Sequence, residues 1–192
     1  MKVSSFSIII FFTIISSIQP IQCNLPMSGS IEQICRKTPH YHLCLITLKS
    51  NLYSQQFTQT QSVDISGYVR VTLEVVAAKA PLILEQLHEV YAQTQHTQLK
   101  NALDSCITSY TKISKELIPQ ALNCVDKRDY NGVKQSAYVA GNLAASCEKK
   151  CYGTTSSSAS PLGDNNQYVQ DMCQITASIV TKFGHSQHQT LS

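Results

Sequence analysis

Charged side chains are scarce in this chain. Asp, Glu, Lys and Arg together make up 14% of its residues, against roughly 25% in an average globular domain. The basic residues occur as scattered pairs at Arg36-Lys37, Lys127-Arg128 and Lys149-Lys150. Because binding to a phosphate backbone needs clustered Lys and Arg side chains, this composition argues against a nucleic-acid partner.

The motifs of catalysis are also missing from the sequence. It contains no nucleophile elbow, no His-Glu zinc helix and no glycine-rich phosphate loop. Two histidine pairs, His40/His42 and His185/His188, have no third ligand at metal spacing. We therefore predict a protein that is not an enzyme and that needs neither a metal nor a cofactor.

Long apolar runs are limited to the N-terminal leader. Residues 1–23 begin with Lys2 and continue into an apolar run at residues 8–15, which is the pattern of a cleaved signal peptide. The run is shorter than the roughly 20 apolar residues that a membrane-spanning helix requires. We expect a soluble, secreted chain with no membrane span after cleavage, comprising one domain at residues 24–184 and a polar tail at residues 185–192.

Apolar residues recur at spacings of three and four along four separate segments, which indicates one buried face on each of four helices. These stripes run through residues 65–90, 99–124, 133–151 and 168–179. Polar connections separate them at Gln93–Gln98, Asp126–Asn131 and Gly153–Asn166. The pattern predicts an all-α protein, with an up-down four-helix bundle over residues 61–184.

Two prolines interrupt the stripes. Pro81 and Pro119 both lie within a helical pattern, and proline removes a backbone hydrogen bond from a helix interior. We expect a kink or a break at each position.

Two cysteine pairs fit the helical arrangement. Residues at equal height in an antiparallel hairpin have a constant index sum, and the sum for Cys106 and Cys147 centres the turn at residues 126–127, within a polar connection. We predict a Cys106–Cys147 disulfide between the middle two helices. We also predict that Cys35–Cys44 closes an N-terminal helical hairpin over residues 24–60. Such bonds typically add about 2–4 kcal/mol of stability.

The other cysteines of the secreted chain, Cys124, Cys151 and Cys173, are odd in number, so at least one stays unpaired. Cys124 lies roughly 27 Å along the helix from Cys106, at 1.5 Å per residue, and so at the opposite end of the bundle from Cys151. Cys151 and Cys173 flank the same connection. They either form an extra disulfide or remain as thiols, and a buried thiol is a common role for free cysteine.

Several motifs, taken in order, resemble those of the plant invertase and pectin methylesterase inhibitor family. The resemblance covers nearly the whole secreted chain. It implies an extracellular four-helix bundle with an N-terminal hairpin and two disulfides, which blocks a target enzyme by covering its substrate cleft. The matching elements are Ile31-x-x-Ile-Cys35-x-x-Thr38-Pro39-x-x-x-x-Cys44-Leu, Leu103-x-x-Cys106-x-x-x-Tyr110, Asp129-Tyr130 followed by Cys147-Glu148, and Asp171-Met-Cys173.

The target enzyme is a separate question. Some invertase inhibitors of the family carry Pro-Lys-Phe after the turn between the second and third bundle helices, where this chain has Arg128-Asp129-Tyr130. That departure favours pectin methylesterase as the target, with acid invertase as the alternative. The small-residue segment 138–145 stands where many pectin methylesterase inhibitors have Ser-Ala-Ala, which weakens the assignment. A non-inhibitory interaction protein or a pollen-allergen-like relative is the third interpretation.

Three surfaces are candidates for contact with the target. One is the turn formed by Lys127, Arg128, Asp129 and Tyr130, and another is the helix face with Lys134, Gln135 and Tyr138. The third is the face with Gln86, Glu89 and Gln93. His88 and His96 are candidates for pH-dependent binding, because histidine titrates near mildly acidic pH. The resemblance implies the cell wall or apoplast as the location, with the vacuole as the alternative.

Overall fold

We describe residues 26–54, 64–151 and 162–184 from a computed structural model. Within these ranges the chain is helical, with short turns and no strand. The predicted leader, the predicted tail with His185 and His188, and residues 55–63 and 152–161 lie outside the described residues. The helices are α1 (Pro26–Cys35), α2 (Tyr41–Ser54), α3 (Ile65–Gln93), α4 (Thr97–Lys112), α5 (Ile118–Asp126), α6 (Tyr130–Cys151) and α7 (Gly163–Phe183).

Helices α1 and α2 form the predicted N-terminal hairpin. The disulfide between Cys35 and Cys44 joins them, with Cα atoms 5.5 Å apart. In the connecting turn, the Thr38 hydroxyl donates a 2.8 Å hydrogen bond to the Cys35 carbonyl. Leu48 and Leu52 of α2 are almost completely buried. The hairpin therefore packs against the bundle, where α2 contacts α3 and both hairpin helices contact α7.

The remaining helices form the predicted four-helix bundle. Its four members are α3, the α4–α5 pair, α6 and α7, and each contacts its neighbours in the ring. Helix α3 begins where the Asp64 side chain accepts a 3.1 Å hydrogen bond from the Gly67 N–H, which satisfies one of the otherwise unpaired donors of the first turn. The apolar stripes predicted from the sequence supply the buried core between the helices.

The two prolines differ in their effect. Pro81 lies inside α3, which continues to Gln93 without a break, so of the expected kink or break the structure excludes the break. Near Pro119, α4 passes through a π-helical turn at Ile113–Leu117 before α5 begins. The N–H of Ile118 bonds to the carbonyl of Ile113, five residues earlier. Since Pro119 has no N–H to continue the regular pattern, the wider turn fits this part of the helix.

The last predicted connection was too long at its C-terminal end. Helix α7 begins at Gly163, so residues 163–166, which the sequence analysis assigned to the loop, are helical. Asn166 is fully buried, because it pairs with polar groups of two other helices. No helix among the described residues has the length and apolar character needed to cross a membrane.

Candidate partner-binding surface

The turn between α5 and α6 has a defined backbone geometry. Arg128 has a φ of 55°, in the left-handed region that a non-glycine residue adopts infrequently. The Asp129 N–H bonds to the Cys124 carbonyl at 2.9 Å. The Asp129 side chain accepts a 2.9 Å hydrogen bond from the Gly132 N–H, so it caps the start of α6. These bonds hold the turn in one conformation.

Gly132 lies where a larger residue would displace two neighbouring side chains. A Cβ atom at this position would lie 2.4 Å from Asp129 Oδ2 and 2.6 Å from Cys124 Sγ. Burial and the nearby Asp129 carboxylate raise the pKa of the half-exposed Cys124 thiol. Asp129 therefore caps the start of α6 and also raises the pKa of the neighbouring Cys124 thiol.

Contacts with the first turns of α3 brace the α5–α6 turn from the other side. Arg128 lies 3.7 Å from the Asp64 carboxylate, and Arg70 forms an ion pair with Asp126. The Tyr130 hydroxyl and the Ser66 hydroxyl are 2.9 Å apart and share a hydrogen bond. Exposed ion pairs of this kind contribute little stability individually, but all of these contacts join the turn to the start of α3.

Helix α6 continues from the turn with the half-buried Tyr130, followed by exposed side chains on the same face. Tyr130, Lys134 and Tyr138 are spaced four residues apart, so they lie on one face of the helix. Lys127 and Lys134 are exposed, and Tyr138 is 66% exposed. We call Lys127, Tyr130, Lys134 and Tyr138 the α6 ridge. The structure thus brings most of the turn residues and the Lys134/Tyr138 face into one continuous surface, whereas the sequence analysis treated them as two.

A groove of about 340 Å³ runs beside Tyr138, between α6 and α7. Its lining includes the small residues Ala137, Gly141 and Ala177. A Cβ added to Gly141 would lie 3.1 Å from the Cys173 Cβ, so the two helices approach closely here. The α7 side chains and the hairpin residue that also line the groove were not identified from the sequence, namely Gln170, Gln174, Lys182 and Pro39.

His40 attaches the hairpin beside this groove. Its Nε2 lies 2.8 Å from Gln174 Oε1 and 3.4 Å from Asp171 Oδ1. His42 is exposed and its ring lies edge-on to Tyr41. The His40/His42 pair therefore does not converge on a common site, and His40 positions the hairpin on α7.

The third candidate surface lies at the other end of the bundle. Gln86 accepts a 2.9 Å hydrogen bond from Asn165 near the start of α7, and Glu89 and Gln93 are exposed. Residue 86 is about 33 Å along α3 from its N-cap, at 1.5 Å per residue. His88 and His96 are exposed at this same end. The structure does not bring these residues together with the α6 ridge.

The predicted disulfide between α4 and α6 is present. Cys106 and Cys147 are joined with Cα atoms 5.1 Å apart. The Cys151 thiol lies beside this bond, with its sulfur 3.6 Å from Cys106 Sγ. The extra Cys151–Cys173 disulfide that the sequence left open is not formed. Burial raises the pKa of Cys173 to about 12.

The comparisons with known proteins agree with this architecture. The family model described as Plant invertase/pectin methylesterase inhibitor matches residues 29–179. A relative named Cell wall / vacuolar inhibitor of fructosidase 1, from Arabidopsis thaliana, is 26% identical over 78% of this chain and 66% of its own length. A relative named Pectinesterase inhibitor, from Actinidia deliciosa, is 25% identical over 76% of this chain and 74% of its own length. The chain thus spans just under two thirds of the first relative.

Solved structures show the same fold. The crystal structure of mutant form A of a pectin methylesterase inhibitor from Arabidopsis superposes with a TM-score of 0.68 at 20% identity, covering 80% of this chain and 97% of that chain. A second pectin methylesterase inhibitor structure, from Arabidopsis thaliana, gives a TM-score of 0.59 at 20% identity, covering 82% and 97%. The family match extends over most of the sequence and includes the hairpin, the bundle and both disulfides. This chain therefore belongs to the plant invertase/pectin methylesterase inhibitor family.

Proposed function

We propose that this protein is a secreted inhibitor that binds and blocks a cell-wall pectin methylesterase, with no catalytic activity of its own. The observation that carries the proposal is the braced α5–α6 turn continuing into the α6 ridge on a bundle that two disulfides hold together. Membership of an inhibitor family, together with relatives that bear the name of pectin methylesterase inhibitors, supports the target.

A rigid surface suits tight association with an enzyme. Binding costs less conformational entropy when the contact residues are already ordered in the free protein. Tyr138 provides a large exposed aromatic ring beside the groove, and tyrosine is enriched among the residues that dominate protein–protein binding energy. Lys127 and Lys134 add positive charge along the same ridge. The ridge therefore combines an apolar anchor with charges that orient the partner.

The alternative target is an acid invertase. The first relative is named as an inhibitor of a fructosidase and matches this chain to the same extent as the pectinesterase inhibitor. Its name also supports the cell wall as the location, with the vacuole as the alternative. The missing Pro-Lys-Phe element at residues 128–130 favours pectin methylesterase.

The decisive experiment is an inhibition assay of refolded residues 24–192 against a plant pectin methylesterase and an acid invertase at mildly acidic pH. We expect stoichiometric loss of pectin methylesterase activity, and we expect reduction of the disulfides to abolish it. Loss of invertase activity alone would establish the alternative target. An absence of effect on both enzymes would contradict the inhibitor function.

Point variants locate the contact surface. Tyr138→Ala should weaken inhibition about tenfold or more, since loss of a residue that dominates an interface costs about 2 kcal/mol or more and about 1.4 kcal/mol corresponds to tenfold. Lys115→Ala is the control for Lys134→Ala, because Lys115 is an exposed lysine in the π-helical turn and does not belong to the α6 ridge. Glu89→Ala tests the surface at the opposite end. Equal losses for all four variants would argue against the α6 ridge as the contact surface.

A further inference from the structure

Three buried sulfur atoms meet between α4 and α6. Cys147 and Cys151 are four residues apart in α6 and therefore lie on the same face, one turn apart. Cys106 of α4 faces both. The Cys151 sulfur lies 3.6 Å from Cys106 Sγ, and all three sulfurs lie within 4.8 Å of one another. Each of the three residues is at most 1% exposed.

We propose that Cys106, Cys147 and Cys151 form an internal disulfide-exchange set, in which Cys151 replaces Cys147 as the partner of Cys106. The Cys151 thiolate attacks Cys106 Sγ and forms the Cys106–Cys151 bond. The Cys106–Cys147 bond breaks, and Cys147 leaves with the electron pair and takes a proton from water. One disulfide and one thiol are present before and after, so the step needs no oxidant or reductant.

We take Cys106 as the sulfur that is attacked, because it is the one in direct contact with the Cys151 sulfur. Attack on Cys106, the sulfur at 3.6 Å, preserves a covalent link between α4 and α6. Attack on Cys147 would instead produce a bond within α6 and leave α4 without its link. The proposed exchange moves the link by four residues, about 6 Å along α6 at 1.5 Å per residue. The bundle therefore has two alternative positions for the same covalent connection.

The pH controls the rate of the exchange, because only the deprotonated Cys151 thiolate attacks. Burial, and then the Glu148 carboxylate, raise the pKa of Cys151 to about 11, while Lys150 acts in the opposite direction. Glu148 and Lys150 both belong to α6, and the Lys150 ammonium donates a hydrogen bond to the Ser105 hydroxyl of α4. Below this pKa the thiolate fraction rises about tenfold per pH unit. At mildly acidic pH the protein therefore keeps the Cys106–Cys147 bond, whereas at alkaline pH the exchange to Cys106–Cys151 proceeds.

The first test follows the unmodified protein. Folded residues 24–192 with the Cys106–Cys147 bond are incubated without added thiol at pH 5, 8 and 9, then acidified, alkylated and mapped by peptide mass spectrometry. We expect a peptide linked through Cys106 and Cys151, with alkylated Cys147, to form about ten times faster at pH 9 than at pH 8. Its rate should not depend on protein concentration. Persistence of the original pairing alone at pH 9 would overturn the proposal.

Variants provide a second test. Cys147→Ser, refolded in air, should contain a Cys106–Cys151 bond, whereas alkylation of both cysteines in the folded variant would contradict the exchange geometry. Cys151→Ser should abolish the exchange product at pH 9. Cys173→Ser is the matched control, because this buried thiol lies on α7 and should leave the exchange rate unchanged. The experiment on the unmodified protein decides the matter if Cys147→Ser does not fold.

Discussion

The Tyr110 hydroxyl donates a 2.8 Å hydrogen bond to Asn166 Oδ1 across the core of the bundle. The Asn166 amide in turn donates a 2.8 Å bond to Glu148 Oε2. Tyr110 and Asn166 are both fully buried, and burial is the main cause that raises the pKa of Tyr110. The three side chains come from α4, α7 and α6, so one polar chain joins three bundle helices.

Tyr110→Phe should therefore destabilise the protein. The substitution keeps the ring but leaves the buried Asn166 oxygen without its donor, which typically costs about 1–3 kcal/mol. Urea unfolding followed by circular dichroism measures the loss. Tyr138→Phe is the matched control and should have little effect, because Tyr138 is exposed. Equal stability of the two variants would show that the buried bond contributes nothing.

Asp129→Ala should loosen the start of α6. The variant loses the hydrogen bond that Asp129 Oδ1 accepts from the Gly132 N–H, and removal of such a cap costs about 0.5–2 kcal/mol. Asp129→Asn should retain most of the stability, because asparagine also accepts this hydrogen bond. Thermal unfolding of the two variants distinguishes the cap from the charge. A loss of the same size in both would point to the charge instead.

Removing the hairpin disulfide should cost about 2–3 kcal/mol. The bond between Cys35 and Cys44 closes a short loop, with a sequence separation of 9. A disulfide stabilises the folded protein by restricting the unfolded chain, and for such a loop this stabilisation lies in this range. Chemical unfolding of the Cys35→Ser/Cys44→Ser double variant measures the effect. The buried contacts of Leu48 and Leu52 should keep the hairpin on the bundle, and near-native near-ultraviolet circular dichroism would verify this.

Stability should fall at alkaline pH because of Cys173. Burial raises the pKa of this thiol from 9.0 to about 12, so the folded protein holds the proton more tightly than the unfolded chain. The resulting stabilisation is complete below pH 9 and is lost as the pH rises towards the folded pKa. The free-energy difference between wild type and Cys173→Ala should shrink by roughly 1 kcal/mol per pH unit above pH 9. A constant difference from pH 7 to 11 would contradict this account.

Much of the fold follows from sequence periodicity, because each bundle helix buries a stripe with helical spacing. The stripe from Ile65 to Val90 and its neighbours lie in the core or against it. The prediction failed where local polarity and tertiary packing conflict. Asp164, Asn165 and Asn166 look like loop residues, but all three lie in α7, where the buried Asn166 bonds to Tyr110 and Glu148. Pro81 lies in a helix whose packing against three other bundle segments outweighs one missing hydrogen bond.

The cysteine cluster and the candidate surface were less predictable. The index-sum rule placed Cys106 opposite Cys147, yet it could not show that Cys151, one turn away, also reaches Cys106. The contacts of Arg128 and Tyr130 with the start of α3 link residues far apart in sequence, so no local pattern reveals them. The groove beside Tyr138 depends on small residues of α6 meeting side chains of α7, which only the packed structure specifies.

Pro39 gives the hairpin a place in this surface. It lines the groove together with α6 and α7, and the adjacent His40 bonds to Gln174, which is 134 residues away in sequence. The hairpin thus contributes Pro39 to the lining of the groove beside Tyr138. A partner that enters this groove touches the N-terminal hairpin and helix α7 at once, so any change that detaches the hairpin would alter the shape of the groove for that partner.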